Sequence, residues 1–322
     1  MERRAFLAGA AALLAVPLAA EAQQAGKVYR IGWISTEAQP DPFVDGFREG
    51  LRQYGYIEGQ NLILDLRYAR GDLDALRAAV VELMQSKVAF IVSSGPAIRA
   101  IKGTRDIPVL FAISGDPVEL GLAVSLRRPG GNFTGLTFLS LTIAGKRVEL
   151  LKQAVPRLRR LAVLSNTDHP GERSERHATE EAARALGLTV SYAPFTGATA
   201  LDAGLSAVRA AQADGMVVFP EGATIVARAK IAEFTIAERL PSMFGWSEYA
   251  DAGGLMSYGA NQRQAHVRLA AYADKLLRGA KTAELPIEQP TQFELVINLK
   301  TAKALGLTVP QSLLLRADQV IE

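Results

Sequence analysis

The sequence contains no cysteine. Disulfides, thiolate metal sites, cysteine nucleophiles and iron–sulfur clusters are thereby excluded. Histidine is almost as scarce: His169, His177 and His266 are the three in the chain, too few for a histidine-rich metal centre. Charge of one sign is also missing, because 36 basic and 33 acidic residues leave a net +3 over 322 residues, and no run of Lys and Arg reaches five. That is no nucleic-acid footprint. Beyond position 22 no apolar stretch approaches 18 residues, so no membrane-spanning helix is expected. What remains, 49% hydrophobic and 21% charged, is a globular composition. At about 150 residues per domain the length suggests two domains.

The N-terminus reads as an export signal. Met1-Glu2-Arg3-Arg4 is charged, Ala5 to Val16 is an unbroken run of 12 apolar and small residues, and Ala20-Glu21-Ala22 offers small residues where a signal peptidase reads. The run is too short to span a bilayer. Arg3-Arg4-Ala5-Phe6-Leu7 also resembles a twin-arginine pattern, so both export routes stay open. With residues 1–22 removed and no cysteine to carry a lipid, the expectation is a soluble, unanchored protein of a Gram-negative periplasm.

Beyond the signal, strand and helix alternate. Tyr29–Ser35, Asn61–Arg67, Ala89–Ser93, Val109–Ile113 and Asn132–Leu139 read as strands. Between them Pro42, Asp72, Pro96 and Pro117 open helices, and Gly55 closes the first. The cycle repeats with strands Leu161–Ser165, Thr189–Tyr192, Met216–Phe219, Ser242–Gly245 and Gly254–Tyr258, then a helix through Leu269, Tyr272 and Leu276, and a last strand Phe293–Asn298. Ile91-Val92 and Val217-Val218 are apolar on both faces, which calls for parallel strands covered on both sides. Two such blocks, about 28–138 and 140–258, predict an α/β protein with two doubly wound sheets. The helix 264–278 follows the second block but fits a return to the first domain.

The motifs of catalysis are absent. Gly32-Trp33-Ile34-Ser35 stands where a dinucleotide site needs its glycines. Gly145-Lys146-Arg147 lacks both the earlier Gly and the following Ser or Thr of a phosphate loop, and neither G-x-S-x-G nor H-E-x-x-H occurs. His169 and His177 read as solvated, and His266 as surface or core edge. No cofactor and no metal are implied.

The polar residues gather where an open α/β sheet binds its ligands, beyond the carboxyl ends of the strands. In the first block these are Ser35-Thr36, Ser93-Ser94-Gly95-Pro96 and Ser114-Gly115-Asp116-Pro117; in the second, Ser165-Asn166, Pro220-Glu221 and Trp246-Ser247-Glu248-Tyr249. Asp116 or Glu221 suits an ammonium, and Trp33, Trp246, Tyr249 and Tyr258 suit flat apolar walls. Each of these is also an ordinary turn residue, and Asp116 serves equally well as a helix cap. The candidate ligand-binding set is Ser35, Thr36, Ser94, Gly95, Ser114, Asp116, Asn166, Glu221, Trp246 and Tyr258.

These residues carry a family likeness, in the order Ile31-Gly-Trp, Gly46-Phe-Arg-Glu-Gly-Leu51, Gly55-Tyr-Ile-Glu-Gly-Gln-Asn61, Gly115-Asp-Pro-Val118, Pro129-Gly-Gly-Asn-Phe-Thr-Gly135, Gly253-Gly-Leu-Met-Ser-Tyr-Gly259 and Leu295-Val-Ile-Asn-Leu-Lys-Thr-Ala-Lys-Ala-Leu-Gly306. The chain resembles the periplasmic substrate-binding proteins of ABC importers, in the branch that includes tryptophan-binding lipoproteins. The resemblance implies a type I periplasmic-binding-protein fold: lobe one from 27–138 plus 262–290, lobe two from 140–259 plus 291–322, joined by three crossovers near 138–142, 258–262 and 288–292. It implies a small polar solute, an amino acid or aromatic carboxylate, held between Ser94, Gly95, Ser114 and Asp116 on one side and Asn166, Glu221 and Trp246 on the other. The closed monomer then meets an ABC permease. The absent lipid anchor, and Glu221 where many relatives show Asp, depart from the branch. The alternatives are a ligand-sensing receptor of the same fold and an enzyme using Asp116 and Glu221 as its acid and base.

Overall fold

The computed structural model describes residues 27–322 except Ala38, Pro40, Gly71, Leu139 and Ser140. The signal over 1–22 lies outside the described residues, as do two positions of the first crossover.

The first sheet holds β1 (Tyr29–Ser35), β2 (Leu62–Tyr68), β3 (Ile91–Ser94), β4 (Val109–Ile113) and β5 (Phe133–Thr137), all parallel in the order β2-β1-β3-β4-β5. Every residue of β3 and β4 is buried, as strands covered on both faces require. α1 (Pro42–Gln53), α2 (Leu73–Gln85) and the short α3 (Ile98–Ile101) cover the sheet. Asp41 caps α1 by accepting the N–H of Phe43 at 2.9 Å, while its other oxygen accepts the indole N–H of Trp33 at 3.0 Å. The helix expected after Pro117 does not form among the described residues. Asp116 and Pro117 start turns instead, and Gly121 at φ 68° carries the chain out of helical conformation.

The second sheet runs β12-β11-β10-β9-β8-β6-β7. From α4 (Leu141–Ala154) the chain enters β6 (Arg160–Asn166), α5 (Glu172–Ala185), β7 (Thr189–Phe195), α6 (Leu201–Ala210), β8 (Gly215–Val218), α7 (Gly222–Val226), α8 (Arg228–Ala237), β9 (Ser242–Phe244), α9 (Ser247–Asp251) and β10 (Met256–Gly259). It then leaves for α10 (Gln262–Leu277), which packs on α1 of the first sheet. The return adds β11 (Glu294–Asn298), α11 (Leu299–Ala304), α12 (Gln311–Leu314) and β12 (Gln319–Ile321). β11 lies antiparallel to β10, and β12 lies parallel to β11. The sheet is thus parallel with one antiparallel junction. That junction sits where the chain re-enters from the other lobe rather than through a covering helix of its own.

Two glycines let α10 approach α1. A Cβ on Gly50 would lie 2.4 Å from the Val267 carbonyl oxygen and 2.6 Å from the Ala270 Cβ, and one on Gly46 would lie 3.1 Å from the His266 Cβ. Gly50→Ala therefore forces the helices apart. We expect it to lower stability by about 1–3 kcal/mol, the usual range for overpacking a close contact, measured by urea denaturation. A midpoint equal to that of the unmodified protein would show that the interface relaxes freely.

One core cluster lies within each lobe, and a third runs through both lobes. Its aromatic spine passes from Phe47 to Trp33 (5.6 Å between rings) and crosses the cleft from Phe43 to Trp246 (6.0 Å, edge-on).

Candidate ligand-binding site

The carboxyl ends of the two sets of parallel strands face each other across a cleft with two adjoining cavities. The outer one is lined by Thr36, Glu37, Pro96, Arg99, Asn166, Asp168 and Ala223, and the inner one by Phe43, Ser94, Gly95, Ser114, Phe138, His169, Glu221, Trp246, Gln262 and His266. In this closed form each is small, about 20 Å³, room for about one water. The lobes touch around them. Arg99 of lobe one pairs with Asp168 of lobe two at 2.8 Å and also reaches the Thr167 carbonyl at 3.3 Å. Gly171 lies against Ser114 so closely that a Cβ would stand 2.2 Å from the Ser114 carbonyl oxygen. The structure is a closed clamshell.

Two buried carboxylates meet there. Glu221 follows β8 and caps α7, accepting N–H bonds from Ala223 at 3.0 Å and Thr224 at 2.8 Å and a side-chain bond from Asn166 at 3.3 Å. Glu37, just past the end of β1, crosses to the backbone of Gly222, where a Cβ would come within 2.1 Å of its Oε1. Its own support is thin: the Thr36 hydroxyl at 3.3 Å donates to it, and its main-chain N–H donates to Ser35 Oγ at 3.1 Å. Burial, then the facing Glu221 charge, push the Glu37 carboxyl up to about 8. Burial raises Glu221 as well, against the pull of its donors. Arg99, the cation of the same cavity, is taken by Asp168. The cleft is therefore short of positive charge where two carboxylates converge.

The inner end is aromatic. His266 stacks on Phe43 (5.0 Å, 15°), with Trp33 and Phe138 each 6.3 Å away. His266 is 1% exposed, which corrects its assignment to the surface or core edge. The buried stripe of α10 passes through His266, Leu269, Ala270, Ala273 and Leu277, so the helical repeat reaches one turn further back than the leucines and tyrosine alone suggested. His169, expected in solvent, is 3% exposed. Its Nδ1 accepts the Gly171 N–H at 2.9 Å, so Nε2–H donates to the Pro220 carbonyl at 3.0 Å, tying the β6 and β8 loops together. Burial pushes both imidazoles down to about 4, leaving them neutral near pH 7.

Of the residues singled out in the sequence, Thr36, Ser94, Gly95, Ser114, Asn166, Glu221 and Trp246 line the two cavities. Ser35 stands behind them and holds Glu37. Asp116 lines neither cavity. It caps its own turn, accepting the N–H of Val118 at 2.7 Å, so it does not pair with Glu221; Glu37, which reaches Gly222 beside Glu221, takes that place. Tyr258 lies in a separate groove beside the crossovers, against Phe293 at 6.3 Å. Trp33 and Tyr249 are wholly buried behind the site. The sequence reading missed Glu37, Phe43, Gln262 and His266. For Glu37 a signal existed, since it directly follows Ser35-Thr36. No cluster of metal-ligating side chains occurs among the described residues.

The family model for ABC transporter substrate binding proteins matches residues 32–321. The chain belongs to this family. Its members are binding proteins rather than enzymes, which removes the acid–base reading of Asp116 and Glu221. The substrate-binding protein is similar to the tyrosine-binding protein of Clostridioides difficile strain R20291, 23% identical over 265 residues, covering 81% of this chain and 76% of the relative. A solved ABC domain from Streptococcus pneumoniae in complex with L-Trp superposes with TM-score 0.83 at 25% identity, over 92% of this chain and 100% of that one. A ligand-free, open substrate-binding protein from Clostridium difficile gives TM-score 0.63 at 23% identity, over 91% and 99%. The fold is that of type I periplasmic binding proteins.

Proposed function

We propose that this substrate-binding protein captures an amino acid with an aromatic side chain and delivers it, as a soluble monomer of the periplasm, to an ABC permease of the inner membrane. The observation that carries this is the pairing of Glu37 and Glu221 across the cleft beside the Phe43–His266–Trp246 enclosure. Two carboxylates facing each other in a buried space repel, and a ligand ammonium between them turns that repulsion into two attractions. Ser94, Gly95 and Ser114 flank the inner cavity from lobe one and Asn166 the outer cavity from lobe two, offering donors to the ligand carboxylate. The aromatic enclosure takes the side chain. The tyrosine and tryptophan of the relatives' names fit the same chemistry. Because each lobe supplies half of these groups, ligand favours the closed form by its differential contacts, and closure brings together the two-lobe surface a permease would read. The N-terminal export signal supports the compartment.

Isothermal titration of protein unfolded and refolded to strip bound solute should give a dissociation constant of about micromolar or tighter for at least one aromatic L-amino acid. Failure of every amino acid to bind better than about millimolar would sink the proposal.

A further inference from the structure

We propose that His266 and Gln262 are specificity residues: two hydrogen-bond acceptors at the inner end of the cleft that read a donor carried on the ligand's ring. The proposal rests on the amino-acid reading above and sharpens it.

His266 Nδ1 lies 3.0 Å from the main-chain oxygen of Gln262. A carbonyl oxygen can only accept, so the ring proton sits on Nδ1 and Nε2 presents a lone pair. The ring is 1% exposed, and Nε2 has no hydrogen-bond partner among the described residues. Gln262, 4% exposed and one helical turn earlier on the same face of α10, has an equally unpartnered Oε1. Both residues line the inner cavity. Buried acceptors are almost always paired, and two orphans on one helical turn beside one cavity mark a place for a donor. Ser94, Ser114 and Trp246 carry donors elsewhere on the wall, but none of them bonds to either acceptor. Phe43 and Phe138 are hydrocarbon, and the Trp33 indole N–H is already given to Asp41. The ligand ammonium belongs with Glu37 and Glu221. The missing donor is then a phenol O–H or an indole N–H, and a plain benzyl side chain would leave both acceptors stranded.

The test is a titration of L-tyrosine against L-phenylalanine, and of L-tryptophan against 3-benzothienyl-L-alanine, which keeps the ring shape and lacks the N–H. In at least one pair the donor-bearing member should bind about 100-fold more tightly or better, as sites built to satisfy a polar ligand group discriminate. His266→Phe combined with Gln262→Met should cut that ratio below about fivefold by weakening the donor-bearing ligand. A cooperative thermal transition with a native circular-dichroism spectrum would show that it folds. Should the double variant not fold, Gln262→Met alone, in the first turn of α10, should reduce the ratio by about tenfold. In isotope-labelled unmodified protein the His266 Nε2 resonance should move upfield on saturation with the donor-bearing ligand and stay in place with its counterpart. Equal affinities within both pairs would overturn this inference while leaving the amino-acid reading intact. A protein that binds none of the four, nor any other amino acid, would take both down.

Discussion

Replacing Gly171 by alanine should weaken ligand binding by about 100-fold or more while leaving each lobe folded, because it removes the closed state and not a ligand contact. Gly171 sits at φ −96°, ψ 1°, a conformation any residue adopts, so the substitution carries no backbone strain. Within its own lobe the new Cβ would come 3.0 Å from His169 Cε1, a squeeze relieved by a shift of a few tenths of an ångström. Across the cleft it would stand 2.2 Å from the Ser114 oxygen and 2.9 Å from the carbonyl carbon, and main chain has nowhere to move. Small-angle scattering should show the unmodified protein contracting with ligand and the variant failing to. Unchanged affinity together with normal contraction would refute the closure argument. Arg99→Ala makes the contrast. The Arg99–Asp168 pair bridges the same lips, but its side chains are 40% and 30% exposed, and such pairs contribute about 0–1 kcal/mol. Its loss should change affinity by less than about fivefold.

Glu37→Gln should weaken amino-acid binding by about 30-fold or more. Truncating one partner of a buried charge pair typically removes about 2–5 kcal/mol, and glutamine keeps the shape while discarding the charge. The same variant tests a linkage. In the closed form without ligand the Glu37 carboxyl is raised from 4.5 to about 8, by burial first and the Glu221 charge second, with Asp41 adding and Thr36 opposing. An open cleft returns it toward the ordinary value. A carboxyl whose closed-state pKa is the higher takes up a proton on closing. Ligand-free closure is therefore fully favoured below about 4.5 and loses that support as pH rises through about 8. The ligand-free protein should be more compact near pH 5.5 than near pH 9, and Glu37→Gln should not change between them. Between these limits an ammonium entering the closed cleft replaces the proton, so titration in buffers of differing ionisation enthalpy should register proton release. A radius independent of pH in the unmodified protein would dismiss the coupled pair.

Strand ends were legible in the sequence because a turn announces itself through its own residues. Ser94-Gly95, Ser114, Asn166, Glu221 and Trp246 all fall where the alternation of strand and helix puts them. Whether an acid at such an end faces the cleft or caps its own loop depends on the direction of the next few bonds, and the sequence does not carry that. Asp116 and Glu37 stand alike in the chain; one accepts Val118 N–H and the other reaches Gly222. β12 stayed hidden for a related reason, since Gln319–Ile321 becomes a strand only through its pairing with β11. His266 was misplaced because imidazole is as common at surfaces as inside, and its burial depends on α10 returning to α1.

The glycine-lined seam between α1 and α10 has a consequence for the order of events in recognition. Phe43 rides on one of these helices, and His266 with Gln262 on the other, so three of the ring-facing residues are set together in a single rigid half and only Trp246 is added from the other lobe on closing. An incoming molecule can be sorted by its ring on first touch, before the jaws move. Discrimination then precedes commitment: a protein frozen ajar would hold every solute poorly, yet would still rank them in the same order.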